Sequence, residues 1–165
     1  MIKEKLIFQV IHLNLSKRFI IFISNLKETI MKKLISTNYS AGAFNTAMLL
    51  LRLFSGILMM SHGYQKLVHF AEFKSKFMDF MGIGSTTSLL LVIFAEFFCA
   101  LFIVLGLFTR LAAIPLIIGM SVALFKAHNG DVFGDGEMSA LFLAAFLTLL
   151  LVGPGKASVD GMTGK

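Results

Sequence analysis

Cysteine, proline and charge are all scarce in this sequence. The 165 residues include one cysteine, two prolines and 15% charged residues. A single cysteine excludes an internal disulfide and intramolecular CxxC chemistry, and we interpret Cys99 as a small packing residue. In contrast, 57% of the residues are hydrophobic, 18 residues are phenylalanine and the mean hydropathy is +0.86. Soluble domains usually have about 45 to 50% apolar residues, so the composition indicates an integral membrane protein.

The charged residues are mainly basic, and their placement argues against a nucleic-acid-binding protein. The net charge is +6 and the pI is near 9.6. The basic residues flank apolar stretches and do not form a face with interleaved aromatic side chains, as a nucleic-acid-binding surface would. We therefore expect them to meet lipid headgroups and to set the topology.

Four apolar stretches predict four membrane-spanning helices. They lie at about residues 43–63, 87–108, 111–127 and 138–153. The last two are short for a span of roughly 20 residues. However, Arg110 and Lys126 flank the third stretch, Glu137 and Lys156 flank the fourth, and long basic side chains reach the membrane surface. We predict an all-α fold, an up-down four-helix transmembrane bundle formed by residues 38–165.

The sequences of two connections, between the first and second spans and between the second and third spans, predict their local structure. Phe70, Phe73, Phe77 and Phe80 recur at three- and four-residue spacing, with charged residues between them. This spacing predicts an amphipathic interfacial helix between the first two spans. Residues 106–110, between the second and third spans, are too few for anything but a tight antiparallel turn.

Residues 1–37 are an N-terminal extension of a different character. Two short apolar runs, at residues 6–15 and 19–26, alternate with basic residues. Polar residues interrupt the apolar core that a signal peptide would need. Two interpretations stay open: the extension is an interfacial helix, or it is an over-extended reading frame whose true start is Met31.

The distribution of lysine and arginine predicts the orientation. From residue 32 onward, the membrane side that holds both termini carries five of these residues, and the opposite side carries four. The first 30 residues add five more to the side of the termini. The positive-inside rule then places both termini in the cytoplasm.

Two charges interrupt the first two spans, Arg52 and Glu96. A lone charge at the centre of a membrane helix costs about 2.5 to 3.5 kcal/mol, so we predict that these two form a buried ion pair. The pair has two interpretations. It fixes the helix register, or it takes part in a proton or substrate relay, since ionisable residues inside membranes often mark pathways.

Further polar side chains gather at the membrane side opposite the termini. His62 and Lys66 close the first span, His128 closes the third and Glu137 opens the fourth. A quinone headgroup needs one or two hydrogen-bond donors at the edge of the apolar core, so these four residues form our candidate quinone or ligand site. No HxxxH or HExxH spacing fixes a haem or metal geometry, and we predict no metal site. The alternative is that all four are interfacial residues that snorkel or cap helices.

Short motifs in a particular order resemble one family. They are LLLRL at residues 49–53, HGYQKL at 62–67, the acid Glu96, LGLFTR at 105–110 and GPGKASVD at 153–160. Between about residues 44 and 160 the chain is similar to the DoxX family of small four-helix proteins of the bacterial inner membrane. The turn and topology motifs that we assign on this resemblance are Thr109, Arg110, Gly153, Pro154, Gly155 and Asp160.

The resemblance implies a redox-associated role. Proteins of this kind are linked to the membrane subunit of a thiosulfate:quinone oxidoreductase and to partnership with oxidative-stress enzymes. Our preferred hypothesis is a redox-associated subunit with a quinone-accessible pocket, and the alternative is a non-catalytic scaffold or partner for oxidative-stress enzymes. The sequence identifies no catalytic residue. The expected partners are the lipid bilayer and other membrane or redox proteins, and an oligomer is compatible with either hypothesis.

Overall fold

The computed structural model describes the backbone of residues 2–164 and the side-chain surroundings of residues 17–18, 20–33 and 35–164. Within this part of the chain there are seven helices and no strand, which confirms the predicted all-α class. The chain divides into two compact units, residues 1–40 and residues 41–165.

The first unit consists of one long helix, α1 (Ile2–Ile35), and a short non-helical stretch. One exposed ion pair joins Lys32 Nζ to Glu28 Oε1, one turn apart, at 2.7 Å. Apolar side chains such as Ile20 and Phe22 are exposed as well. The side chains of residues 2–16 lie outside the described residues, and both interpretations of the extension stay predictions.

Four longer helices make up most of the second unit. The helices of this unit are α2 (Ala41–Val68), α3 (Phe70–Phe73), α4 (Ser85–Leu105), α5 (Thr109–Ala127), α6 (Glu137–Val152) and α7 (Val159–Met162). Three of them, α2, α4 and α5, are long and apolar enough to cross a membrane. The 16 residues of α6 rise about 24 Å, less than the roughly 30 Å of a bilayer core. The apolar stretches of the sequence therefore predicted where each long helix of the second unit lies.

Helices α2 and α4 contact each other closely at two glycines of α2. A Cβ at Gly56 would lie 2.7 Å from Val104 Cγ2, and a Cβ at Gly63 would lie 2.6 Å from the backbone nitrogen of Phe97. Later residues of α2 thus face earlier residues of α4, so the two helices run antiparallel. Small residues allow membrane helices to approach in this way. The glycines set the register, in which Gly63 is level with the middle of α4.

The remaining long helices complete an apolar core. α5 packs against both α4 and α6, and α6 also contacts α2. The fully buried side chains of this core include Ile103, Ala113, Leu116, Phe146 and Leu149. Many other apolar side chains face outward, as expected for helices that are surrounded by lipid.

The segment between α2 and α4 differs from its prediction. Helical structure covers only Phe70–Phe73, whereas the phenylalanine spacing predicted a helix that reaches Phe80. Two side chains bind backbone amides near the start of α4. Asp79 Oδ1 accepts from Gly84 N–H at 2.8 Å, and Ser88 Oγ accepts from Phe80 N–H at 3.0 Å. Such local bonds compete with helical ones, and here they turn the chain back into α4.

The tight turn predicted at residues 106–110 is confirmed. Gly106 and Phe108 both adopt left-handed backbone angles, with φ of 69° and 48°, and α5 begins at Thr109. A left-handed residue after a helix ends it, and glycine adopts this conformation without a steric cost. The turn therefore brings the start of α5 next to the end of α4.

Candidate functional site

Glu96 lies in a widened turn of α4. Residues Phe94–Cys99 form a π-helical segment between the α-helical stretches Ser85–Ile93 and Ala100–Leu105. Such segments are rare and occur frequently at functional sites. Glu96 is only 6% exposed. The π-helical segment thus places a carboxylate among closely packed, mainly apolar helices.

This carboxylate forms an ion pair with Lys66, in the last turn of α2. Lys66 Nζ donates to Glu96 Oε2 at 2.6 Å, and the two side chains are 24% and 8% exposed. Gly63 permits the contact, because a Cβ there would lie 2.7 Å from the carbonyl carbon of Glu96 and would hold the backbones apart. We name Lys66 and Glu96 the ion-pair site. Since the pair is largely withdrawn from water, removal of one partner would leave the other charge buried without compensation.

Arg52 has other partners, and the predicted Arg52–Glu96 ion pair is wrong. Arg52 Nη1 donates to the carbonyl oxygen of Pro154 at 3.1 Å, and Nη2 donates to that of Ala157 at 2.7 Å. The helix register explains the difference. Gly63 is level with Glu96, and Arg52 precedes Gly63 by eleven residues, which is about 16 Å along a helix. The two charges are central in their apolar stretches but lie at different levels of the α2–α4 contact, Arg52 beside the end of α4 and Glu96 near its middle.

The other predicted ligand-site residues are not connected to the ion-pair site. His62 is exposed, and its ring meets that of Phe142 edge-on, with the centroids 6.1 Å apart. His128 follows the last residue of α5, and Glu137 is the first residue of α6. In residues 35–164, no hydrogen bond or ion pair links these three to the ion-pair site. Nor do the described residues include a group of three or more His, Cys, Asp or Glu that could hold a metal ion.

Aromatic rings adjoin the ion-pair site. The ring of Phe97, next to Glu96 in sequence, lies 6.3 Å from that of Tyr64 and 5.2 Å from that of Phe98. An ammonium group has three N–H donors, so Lys66 can donate to a ligand as well as to Glu96. Apolar surfaces with a few fixed polar groups are typical of small-molecule sites. The ion-pair site thus combines a partly exposed ammonium group with nearby aromatic rings.

The loop that follows α6 closes the other end of the α2–α4 pair. Besides the two bonds from Arg52, the backbone N–H of Lys156 donates to Asn45 Oδ1 at 2.8 Å. A Cβ at Gly106 would lie 2.6 Å from Arg52 Nη1, so the turn before α5 needs glycine for space as well as for its backbone angle. We name residues 153–160, with Asn45, Arg52 and Gly106, the C-terminal junction.

Asp160 connects this junction to the start of α5. Its Oδ1 accepts from Phe108 N–H and its Oδ2 accepts from Thr109 N–H, both at 2.9 Å. A carboxylate here satisfies amides that the helix leaves without partners and interacts favourably with the helix dipole. The residues that we assigned as turn and topology motifs, Thr109, Arg110, Gly153, Pro154, Gly155 and Asp160, all line one cavity at this junction.

Comparison with known proteins identifies the family. A model of the DoxX family matches residues 47–129, which is 83 of the 165 residues. This chain belongs to the DoxX family. No curated protein and no solved structure matches it. Together with the three long apolar helices, the match makes this DoxX protein a membrane protein.

The matched region of this DoxX protein contains both charges of the ion-pair site and Arg52, but it ends before α6 and the loop after it.

The sequence indicated both Lys66 and Glu96 as site residues but did not predict that they pair with each other. The available signal was Gly63, a small residue one turn before Lys66. Asn45 was missed altogether, because a single asparagine near the start of an apolar stretch has no distinctive pattern.

Proposed function

We propose that this DoxX protein is a redox-associated subunit of the bacterial inner membrane, and that a quinone headgroup binds at the ion-pair site. The observation that carries the proposal is the 2.6 Å contact of Lys66 Nζ with Glu96 Oε2 inside a π-helical segment. Lys66 remains 24% exposed, so its ammonium is open to a second acceptor, such as a quinone carbonyl oxygen. Glu96 holds this ammonium in place and is itself a group that can carry a proton.

The proposed arrangement in the membrane is an up-down bundle of α2, α4, α5 and α6. Antiparallel packing of α2 with α4 and the tight turn before α5 support it. The short α6 needs Lys156 and neighbouring polar residues to reach the membrane surface. We place both termini in the cytoplasm, following the positive-inside rule. The ion-pair site, in the last turn of α2, then lies near the outer face.

Quinone retention tests this proposal. The full chain is purified in mild detergent, and its lipid extract is analysed for quinone by mass spectrometry. We expect about one quinone per chain in the wild type and in Glu72→Gln, a control that neutralises an exposed acid of α3. Glu96→Gln and Lys66→Gln should lower the occupancy several-fold. The wild-type protein would carry no quinone, and take none up when it is supplied, if the proposal is wrong.

A second candidate is a non-catalytic membrane scaffold for oxidative-stress enzymes. The observation that favours it is that a charge inside an apolar stretch, Arg52, binds two backbone carbonyls of the C-terminal junction and so stabilises the fold. For a scaffold, the ion-pair site is structural as well, and Lys66→Met/Glu96→Leu should fold and preserve resistance to oxidative stress in cells. For a quinone-binding subunit, the same variant should fold but lose both quinone and resistance. The cellular assay therefore separates the two functions.

A further inference from the structure

A cavity of about 530 Å³ opens at the C-terminal junction, far from the ion-pair site. The start of α5 forms one wall, and the loop that follows α6 forms another. The polar residues of its lining include Asn45, Thr109, Arg110, Lys156 and Asp160. The proposed quinone site uses none of these residues, so any role of the cavity is additional.

Two basic side chains line this cavity. Among the described residues, the Arg110 guanidinium makes one hydrogen bond, from Nη2 to the carbonyl oxygen of Leu151, and this bond is long at 3.3 Å. The guanidinium lies over Gly153, since a Cβ there would be 3.5 Å from Arg110 Nε. Lys156 is fixed through its backbone N–H, and across residues 35–164 its ammonium has no ion pair or hydrogen bond. Both cations therefore have donors to spare.

Backbone amides add further donors at the start of α5. Thr109 N–H is bound by Asp160, and Ala112 N–H by the carbonyl oxygen of Phe108. Between them, the amides of Arg110 and Leu111 have no partner among the described residues. Both residues line the cavity, and the N-terminus of a 19-residue helix favours anions.

The hydroxyl of Thr109 is a further polar group of this wall that can still form a hydrogen bond. The residue is fully buried, and its hydroxyl has no hydrogen-bond partner among the described residues. A buried hydroxyl without a partner is unfavourable. An acceptor oxygen that reached this hydroxyl by a small opening of the cavity wall would remove this cost.

The acid in the lining does not cancel the positive charge. Asp160 is the one acidic residue among the described residues of the cavity wall, and both of its carboxylate oxygens accept backbone N–H groups. With Arg110 and Lys156, the lining keeps a net charge of +1. Together these groups present the donors that a phosphate group accepts.

The rim of the cavity is apolar and exposed. Phe108, Leu111 and Val152 line the cavity and are 53%, 67% and 41% exposed. A free phosphate ion would make no use of such a rim, whereas the acyl chains of a lipid would cover it. We propose that the cavity binds the phosphate group of an anionic phospholipid, with the acyl chains lying over these three side chains.

Binding of short-chain lipids to the detergent-purified full chain tests this proposal. The probes are dioctanoyl phosphatidylglycerol, dioctanoylglycerol, which lacks the phosphate, and inorganic phosphate. Native mass spectrometry and the shift in Tm report binding. The site variant is Arg110→Gln/Lys156→Gln, and its matched control is Lys74→Gln/Lys76→Gln, which removes two exposed charges from the segment after α3.

We expect phosphatidylglycerol to bind the wild type and the control equally, and the site variant at least about tenfold more weakly, because two charge-assisted contacts are lost. Dioctanoylglycerol should not bind, and inorganic phosphate should bind much more weakly than the lipid. If inorganic phosphate bound as tightly as phosphatidylglycerol, the site would be one for free phosphate, and the proposal of a lipid ligand would be wrong. Equal lipid binding by the site variant and the control would overturn the site itself. If the double variant does not fold, Lys156→Gln alone decides, because its backbone bond to Asn45 is retained.

Discussion

Helix α2 carries two inward-facing charges, Arg52 near its middle and Lys66 in its last turn, and the two have different partners. Lys66 meets the carboxylate of Glu96, whereas Arg52 meets two backbone carbonyls of the C-terminal junction. A carboxylate can gain a proton and then release a cationic partner, whereas a peptide carbonyl is not protonated near neutral pH. The ion-pair site therefore has a partner whose charge can change. The hydrogen bonds of Arg52 go to carbonyls, and the carboxylate that interacts with its charge, Asp160, is itself bound to two backbone amides.

The largest effect should come from Arg52→Met. It removes two charged hydrogen bonds and leaves the carbonyls of Pro154 and Ala157 without their donors, so we expect the free energy of unfolding to fall by about 3 to 5 kcal/mol. Unfolding in mixed micelles with increasing dodecyl sulfate measures this change. Arg110→Gln, an exposed arginine of the same end, should cost less than about 1 kcal/mol. Equal losses in the two variants would show that the carbonyl contacts of Arg52 stabilise the protein no more than an exposed arginine does.

Gly63→Ala, a change next to the ion-pair site, should have the next largest effect. The added Cβ would lie 2.6 Å from the backbone nitrogen of Phe97, so α2 and α4 must separate and Lys66 must lose its contact with Glu96. Overpacking of this kind costs about 1 to 3 kcal/mol. Gly119→Ala is the matched control, because a Cβ there meets nothing within 4 Å. A Gly63→Ala protein as stable as this control would show that the register is not set by glycine.

Replacing Lys66 and Glu96 singly and together tests whether their contributions to the free energy of unfolding are coupled. Lys66→Met alone strands the carboxylate of Glu96 and should cost about 2 kcal/mol, less than a fully buried pair would, because Lys66 is partly exposed. The double variant Lys66→Met/Glu96→Leu should recover most of this loss. A double-mutant cycle of unfolding free energies measures the coupling. Additive losses would mean that the two charges act independently.

Asp160→Asn should produce the smallest change. The amide keeps one acceptor oxygen for the amides of Phe108 and Thr109 but loses the charge at the start of α5, and we expect a cost of about 1 kcal/mol. Asp135→Asn, which neutralises an exposed acid of the loop before α6, should have no measurable effect. The difference in Tm between these two variants is the readout. A loss as large as that of Arg52→Met would mean that the cap stabilises the junction as much as the arginine does.

The positions of the helices could be predicted from the sequence, but their register could not. Apolar stretches and the glycine of the tight turn are local signals, and they located α2, α4, α5 and α6. The predicted Arg52–Glu96 pair assumed that the midpoints of the two apolar stretches lie at the same height along the bundle. The relative heights of α2 and α4 depend on where Gly56 and Gly63 contact α4, which only the packed structure reveals.

The partners of Arg52 were hidden for a different reason. They are backbone carbonyls of Pro154 and Ala157, more than 100 residues further along the chain. Every residue has a carbonyl group, so no side-chain pattern could have identified them. The segment after α2 was mispredicted because the bonds of Asp79 and Ser88 to backbone amides outweigh the helical spacing of the phenylalanines.

The π-helical segment Phe94–Cys99 affects which sequence changes α4 can accept in evolution. Its backbone bonds span five residues instead of four, so the segment accommodates one residue more than a regular helix of the same rise. Leu89 before it and Ala100 after it both face the core. An insertion that brought a carboxylate into this turn would have been absorbed locally, with the packing on either side unchanged. In this chain the widened turn therefore holds a buried acid without disturbing the helix packing on either side of it.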